Sequence, residues 1–346
     1  MYPISKMVAL EVALSAATIA IISALAMRWY QKRKKQRPPT TWEPVGVVKH
    51  LYIYPFKSGK PIELQTALCT EYGVKTSEAP NLHQFRDRSF VVYNEHDEQF
   101  QTARTIPQLV LIEIDAVDEN RIRLTAPNMP ILTFKVPNSV ENRTVTVKQH
   151  FNEKISTIDC GDEAATWISQ YGSKDGTGLR IAYHEAKQRR NLNATHKKYF
   201  KLYPRLSNEA TGLHSDFSSY LLVNESSVND LQDKAPEANI VPLNFRPNIL
   251  IEGAPAFSED DWEWVKIGDV VLYLVKWCTR CVLTTVNPST GIKSELNEPL
   301  RTLRTYRMLK DVKKISLDGT SPLMGINMGY HSGERINVGD VVYVGK

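Results

Sequence analysis

The sequence predicts a mainly β protein with a few peripheral helices, an α+β chain. Three observations carry this. Ten runs rich in Val, Ile, Leu, Thr or Tyr read as strands, at 46–54, 89–94, 109–115, 121–126, 143–150, 179–185, 220–223, 248–252, 270–277 and 280–286. Helical patterning is confined to 162–171, 226–234 and 300–309 within the last three hundred residues. Finally, Ile267-Gly268-Asp269-Val270-Val271 and Val338-Gly339-Asp340-Val341-Val342 are near-repeats, each read as a turn entering a strand.

The chain opens differently. Residues 8–27 are apolar or small apart from Glu11, and as a helix they would span ~30 Å, enough to cross a bilayer once. Arg28, Lys32, Arg33, Lys34, Lys35 and Arg37 follow the segment and only Lys6 precedes it. The positive-inside rule then leaves the bulk of the chain on the cytosolic side. A cleaved secretory signal is the competing reading, but the basic cluster lies on the wrong side of the apolar run for one. Hydropathy fits the mitochondrial outer membrane, the endoplasmic reticulum or the peroxisome equally well.

The formal charge of +5 is concentrated at the N-terminus: residues 1–40 carry +6 and residues 41–346 carry −1. The basic run suits a membrane-surface flank, and nucleic-acid binding is not expected. Four cysteines in 346 residues do not make a disulfide scaffold. A stiff Pro-containing linker at 37–41 leads into residues 41–178 and 179–346, expected as two β domains, with a boundary in the glycine cluster at 171–178 or the basic stretch at 187–198.

Cys278-Thr279-Arg280-Cys281 is the most informative stretch. Two thiols three apart could ligate zinc, exchange a disulfide, offer one thiolate to a softer redox metal, or simply pack. Structural zinc lacks its second ligand pair, since Cys69 and Cys160 are isolated and no short-spaced His pair occurs. A thioredoxin-type pair should open a helix, whereas 282–286 reads as strand. Other short polar motifs fall at strand ends: Tyr54-Pro55-Phe56-Lys57-Ser58, Arg86-Asp87-Arg88, Thr102-Ala103-Arg104, His214-Ser215-Asp216 and Asn244-Phe245-Arg246-Pro247-Asn248. Their Lys, Arg, Ser and Asn side chains are the types that hold an anionic, heteroatom-rich group beside a thiolate.

In order and spacing these motifs resemble the amidoxime-reducing components of mitochondria, eukaryotic members of the MOSC superfamily of molybdenum-cofactor proteins. The resemblance runs from the N-terminal anchor through Ile53-Tyr54-Pro55-Phe56-Lys57-Ser58 to Cys278-Thr279-Arg280-Cys281 and Val338-Gly339-Asp340. It implies an N-terminal MOSC β-barrel domain and a MOSC domain behind a single transmembrane helix, with a molybdenum–molybdopterin cofactor. By match to the family motif, Cys281 would bind molybdenum. Lys57, Ser58, Arg88, Ser215, Arg246, Asn248, Thr279 and Arg280 would contact or lie near the pterin and its phosphate, and Asp216 would be an acidic residue near the metal, with a proton-donor role.

The implied activity is reduction of amidoximes, hydroxylamines and N-oxides at the mitochondrial outer membrane. The resemblance implies electrons from NADH through cytochrome b5 reductase and cytochrome b5; the chain has no nicotinamide, flavin or haem motif of its own, so an external donor is required on either view. The alternative is a non-catalytic MOSC module that binds or passes on the cofactor or its sulfur. Two departures from the family pattern bear on substrate range: a longer segment at 75–85, and His214 where an aromatic is common.

Overall fold

A computed structural model describes residues 37–77 and 79–345. The predicted anchor at 8–27 lies outside them, and no helix among the described residues is long and apolar enough to cross a membrane. Residues 42–346 form one compact unit.

Its centre is a seven-stranded barrel in the order Ile249–Glu252, Tyr220–Asn224, Leu323–Ser332, Val270–Thr279, Trp264–Ile267, Val341–Gly345 and Trp42–Ile53. Pairing of Leu51 with Ile249 and of Val48 with Ile251 closes the ring. Only Tyr220–Asn224 and Ile249–Glu252 run parallel. Alternation decides what each strand buries. Tyr220 and Leu222 join the main core with Ile249, Ile251, Ile326 and Met328. Leu221 and Val223 point the other way, onto Val228 and Leu231 of the helix Glu225–Lys234. Both faces are therefore apolar, which is why the run 220–223 is hydrophobic throughout. Each fully buried Leu, Ile or Val contributes roughly 2 kcal/mol.

A five-stranded sheet in the order Thr144–Lys148, Lys154–Asp159, Leu179–Tyr183, Phe90–Asn94 and Phe100–Gln101 stands beside the barrel. The helix Asp162–Gly172 buries Ala164, Trp167 and Ile168 in the main core. Pairing crosses the expected boundary at 178/179 at several points. Leu179–Tyr183 pairs with Phe90–Asn94, and Trp42–Ile53 completes a barrel whose other strands all lie beyond residue 219.

The near-repeats are turns into strands, with Gly268 at φ +57° and Gly339 at φ +89°. The expected strand 280–286 is not one. The strand ends at Thr279, and Val282–Thr285 makes a single 3-10 turn. The hydroxyls of Thr284 and Thr285 donate to the carbonyls of Cys281 (2.9 Å) and Val282 (2.7 Å), supplying partners that a ladder would otherwise provide. In 109–115, Pro107 starts a 3-10 turn to Leu111 and the strand is Glu113–Ala116.

Candidate active site

All ten residues expected at a site from the sequence (Lys57, Ser58, Arg88, Ser215, Asp216, Arg246, Asn248, Thr279, Arg280 and Cys281) line one cavity of about 290 Å³. Nine reach it from segments that leave or enter barrel strands, the turn after Trp42–Ile53, the approaches to Tyr220–Asn224 and Ile249–Glu252, and the end of Val270–Thr279; Arg88 comes from the approach to Phe90–Asn94 in the five-stranded sheet. Ser58, Arg88 and Arg246 have φ of +71°, +51° and +54°. Three non-glycine residues in the left-handed region around one cavity are backbone strain gathered at a site.

The lining is cationic. Lys57, Arg88, Arg104, Arg246 and Arg280 face it, and Arg104 is one that the sequence reading left without a role. Arg246 donates to the Gly59 carbonyl at 2.7 Å, and both its guanidinium and that of Arg88 lie over the Tyr54 ring, at 4.2 and 4.8 Å from the centroid. Burial lowers Arg246 to about 10, assisted by Arg88 and Arg280, so it remains a cation at neutral pH. Burial likewise lowers Lys57, to about 8, although Asp216 works to raise it.

Asp216 is the hub of these charges. Its Oδ1 accepts from Lys57 Nζ at 2.7 Å and its Oδ2 from Arg104 at 3.0 Å, with His150 Nε2 3.7 Å away. Burial favours the neutral acid, but Lys57 and Arg104 outweigh it and hold the carboxyl well below the usual range. A carboxylate so firmly ionised is a poor proton donor. It orients Lys57 and Arg104. Arg104 in turn lies near enough to Cys281 for that sulfur to favour its charged form.

The two thiols differ. Cys278 also lines the cavity, but it packs against the apolar cluster behind the barrel and its Sγ accepts from Arg280 at 2.8 Å. Arg280 also donates to the Phe245 carbonyl at 2.7 Å. Asn248, though on the wall, spends its amide inward: Oδ1 accepts from Leu221 N, and Nδ2 donates to Tyr52 O and Asp87 Oδ1. Ser58 and Ser215 accept from the backbone N–H groups of Ala103 and Gly212. These three hold the wall in shape, while Lys57, the arginines and Cys281 face inward.

Two observations bear on what the cavity accommodates. The Nε atoms of Arg104 and Arg280 are buried without a partner, so donors are left for a bound acceptor. Among the described residues, no three His, Cys, Asp or Glu side chains gather to hold a metal. A metal at Cys281 must bring most of its ligands with it, as a pterin dithiolene does. The residues present fit such a group.

Residues 45–175 match the MOSC N-terminal beta barrel domain and residues 210–343 the MOSC domain. Mitochondrial amidoxime-reducing component 1 of Mus musculus is 34% identical over 330 residues, covering 95% of this chain and 91% of that protein. The Homo sapiens component 1 is 34% identical over 337 residues, with 97% and 93% covered. Component 2 of Bos taurus is 35% identical over 302 residues, with 86% and 83% covered. The chain belongs to the mitochondrial amidoxime-reducing component family. Within this family member, His150, Phe151, Tyr199 and Phe217 also line the cavity, and sequence reading missed all four because they come from loops and short helices without a local motif.

Proposed function

We propose that this protein is a molybdenum-cofactor-dependent reductase of N-hydroxylated compounds, including amidoximes, hydroxylamines and N-oxides. Support comes above all from one arrangement: five cations and the Cys281 thiol line a single cavity, with buried guanidinium N–H groups left over. When bound, the cofactor supplies two-electron removal of oxygen from nitrogen; an amidoxime, two electrons and two protons become an amidine and water. Cys281 would ligate the molybdenum. Arg88, Arg246 and Arg280 would clamp the pterin and its phosphate, their forks suiting phosphate oxygens. Arg104 would hold the Cys281 sulfur in place, and Asp216 would keep Arg104 and Lys57 oriented.

Electrons would come from NADH through cytochrome b5 reductase and cytochrome b5. The names of the relatives support a mitochondrial location. Residues 8–27 would anchor the chain in the outer membrane, with the bulk facing the cytosol, and residues 41–178 and 179–346 would be the working divisions of the sequence. Purified full-length protein should carry close to one molybdenum per chain and reduce benzamidoxime to benzamidine with NADH and the two partners. Zinc in its place, or loaded protein without turnover, would overturn the reading.

A further inference from the structure

The loop between the strands Thr144–Lys148 and Lys154–Asp159 is held at both shoulders and strained at its tip. Gln149 N donates to the Glu153 carbonyl at 2.8 Å, closing it. Both shoulder side chains are buried. Gln149 pairs with His214 Nδ1 at 2.8 Å, and Glu153 takes both ends of the Arg190 guanidinium, whose side chain is 2% exposed. Arg190 also donates to the Ser215 carbonyl, so both shoulders are bolted to the site segment His214-Ser215-Asp216. At the tip, Phe151 and Asn152 have φ of +59° and +57°. Asn tolerates the left-handed region; Phe rarely adopts it.

This strained residue is also a phenylalanine left 59% exposed. Its ring lies on the cavity wall, edge-on to His196 at 4.7 Å and 5.9 Å from Tyr199, which is 5.0 Å from Phe217. An exposed aromatic in a disfavoured backbone, on a loop fastened to the site, marks a surface made for contact. Lys57, Arg104 and Asp216 supply polar lining to the same cavity.

We propose that Phe151, with Tyr199 and Phe217 behind it, is a subsite for the flat aromatic part of the substrate, so that arylamidoximes are preferred over small aliphatic ones. The subsite rests on the reductase reading for the class of compound. The ring face of Phe151 stacks on or meets the edge of a substrate ring, placing the N–O group towards Cys281. His150, one residue earlier, accepts from Arg104 at 3.0 Å and ties the tip to the reacting end.

The test compares the wild-type holoenzyme with Phe151→Ala and Phe151→Tyr. Turnover is measured with benzamidoxime and acetamidoxime, and equilibrium binding with benzamidine and acetamidine, which lack the N–O bond and report binding alone. Phe151→Ala should raise KM for benzamidoxime and Kd for benzamidine about tenfold, with kcat within about twofold, and leave both acetyl compounds unchanged. Phe151→Tyr should restore the preference. Equal benzamidine affinity in wild type and Phe151→Ala, equal losses for aryl and acetyl ligands, or no benzamidine binding to wild type would each overturn the subsite. If aryl-selective binding follows Phe151 while neither amidoxime is reduced, the reductase reading falls and the aromatic subsite stands.

Discussion

Cys281 and Cys278 share a tetrapeptide and both line the cavity, yet Cys281 lies beside Arg104 whereas Cys278 sits under Arg280 and against apolar side chains. Their mutants should separate accordingly. Cys281→Ala removes the thiol that would ligate the molybdenum, so NADH-dependent benzamidoxime reduction should drop to background while the remaining cationic contacts retain part of the metal. Cys278→Ala should keep the fold and most of the activity; metal analysis and turnover on both proteins check this, and equal losses would point to a paired role for the thiols. Asp216 provides a second residue-scale prediction. Because Lys57 and Arg104 hold its carboxyl ionised, a kcat/KM profile from pH 5 to 8 should show no acidic limb that Asp216→Asn removes, and the variant should lose activity evenly across that range. An acidic limb abolished by the substitution would reinstate Asp216 as the proton donor.

At the scale of elements, the strand Trp42–Ile53 closes a barrel built otherwise from residues beyond 219. A chain starting at residue 42 should therefore unfold cooperatively, whereas one starting at residue 54 leaves two barrel edges unpaired and should not. Urea unfolding followed by far-UV circular dichroism distinguishes them. The Arg190–Glu153 pair makes a second case: Glu153→Gln leaves a guanidinium 2% exposed without its counter-charge, and the loss should be about 3 kcal/mol in the same experiment. These elements also show what was legible in the chain. Strands such as Phe90–Asn94 and Tyr220–Asn224 were readable because they are apolar on both faces, and the polar motifs at their ends were readable because chemistry needs those residue types. The strand Leu323–Ser332 was not, since Gly325, Asn327, Gly329 and His331 break its apolar pattern, although it pairs with two barrel neighbours. Nor was the turn at 282–285, where β-branched residues favour strand but threonine hydroxyls satisfy the backbone locally. His150, Phe151, Tyr199 and Phe217 join the site only through tertiary packing, and nothing adjacent to them in sequence signals it.

For the molecule as a whole, buried histidines govern the response to acid. Burial lowers His150 and His184 to about 4 and pushes His214 well below its ordinary value, while His83 and His196 are shifted the same way. In each, the folded protein binds its proton less readily than the unfolded chain, whose histidines titrate near 6.5. Stability contributed by the neutral rings is thus present above about 6.5 and is lost as pH falls towards 4. Two buried carboxyls, Glu259 and Asp260, are raised by burial and act in the opposite sense, since folding favours their protonated forms. With five such rings against two carboxyls, the histidines should prevail. The urea midpoint should hold between pH 7 and 8 and decline steadily from pH 6.5 to 4.5. His184→Asn, which removes one titrating ring, should make that decline shallower even if it lowers the midpoint at pH 7, because a group absent from both states cannot contribute to the slope. A midpoint that stays level down to pH 4.5 would mean that the rings gain compensating partners as they charge. The imidazole of His214, whose Nε2 is buried without a partner, is where such a gain should be sought, by comparing its titration in the wild type with that in Gln149→Leu.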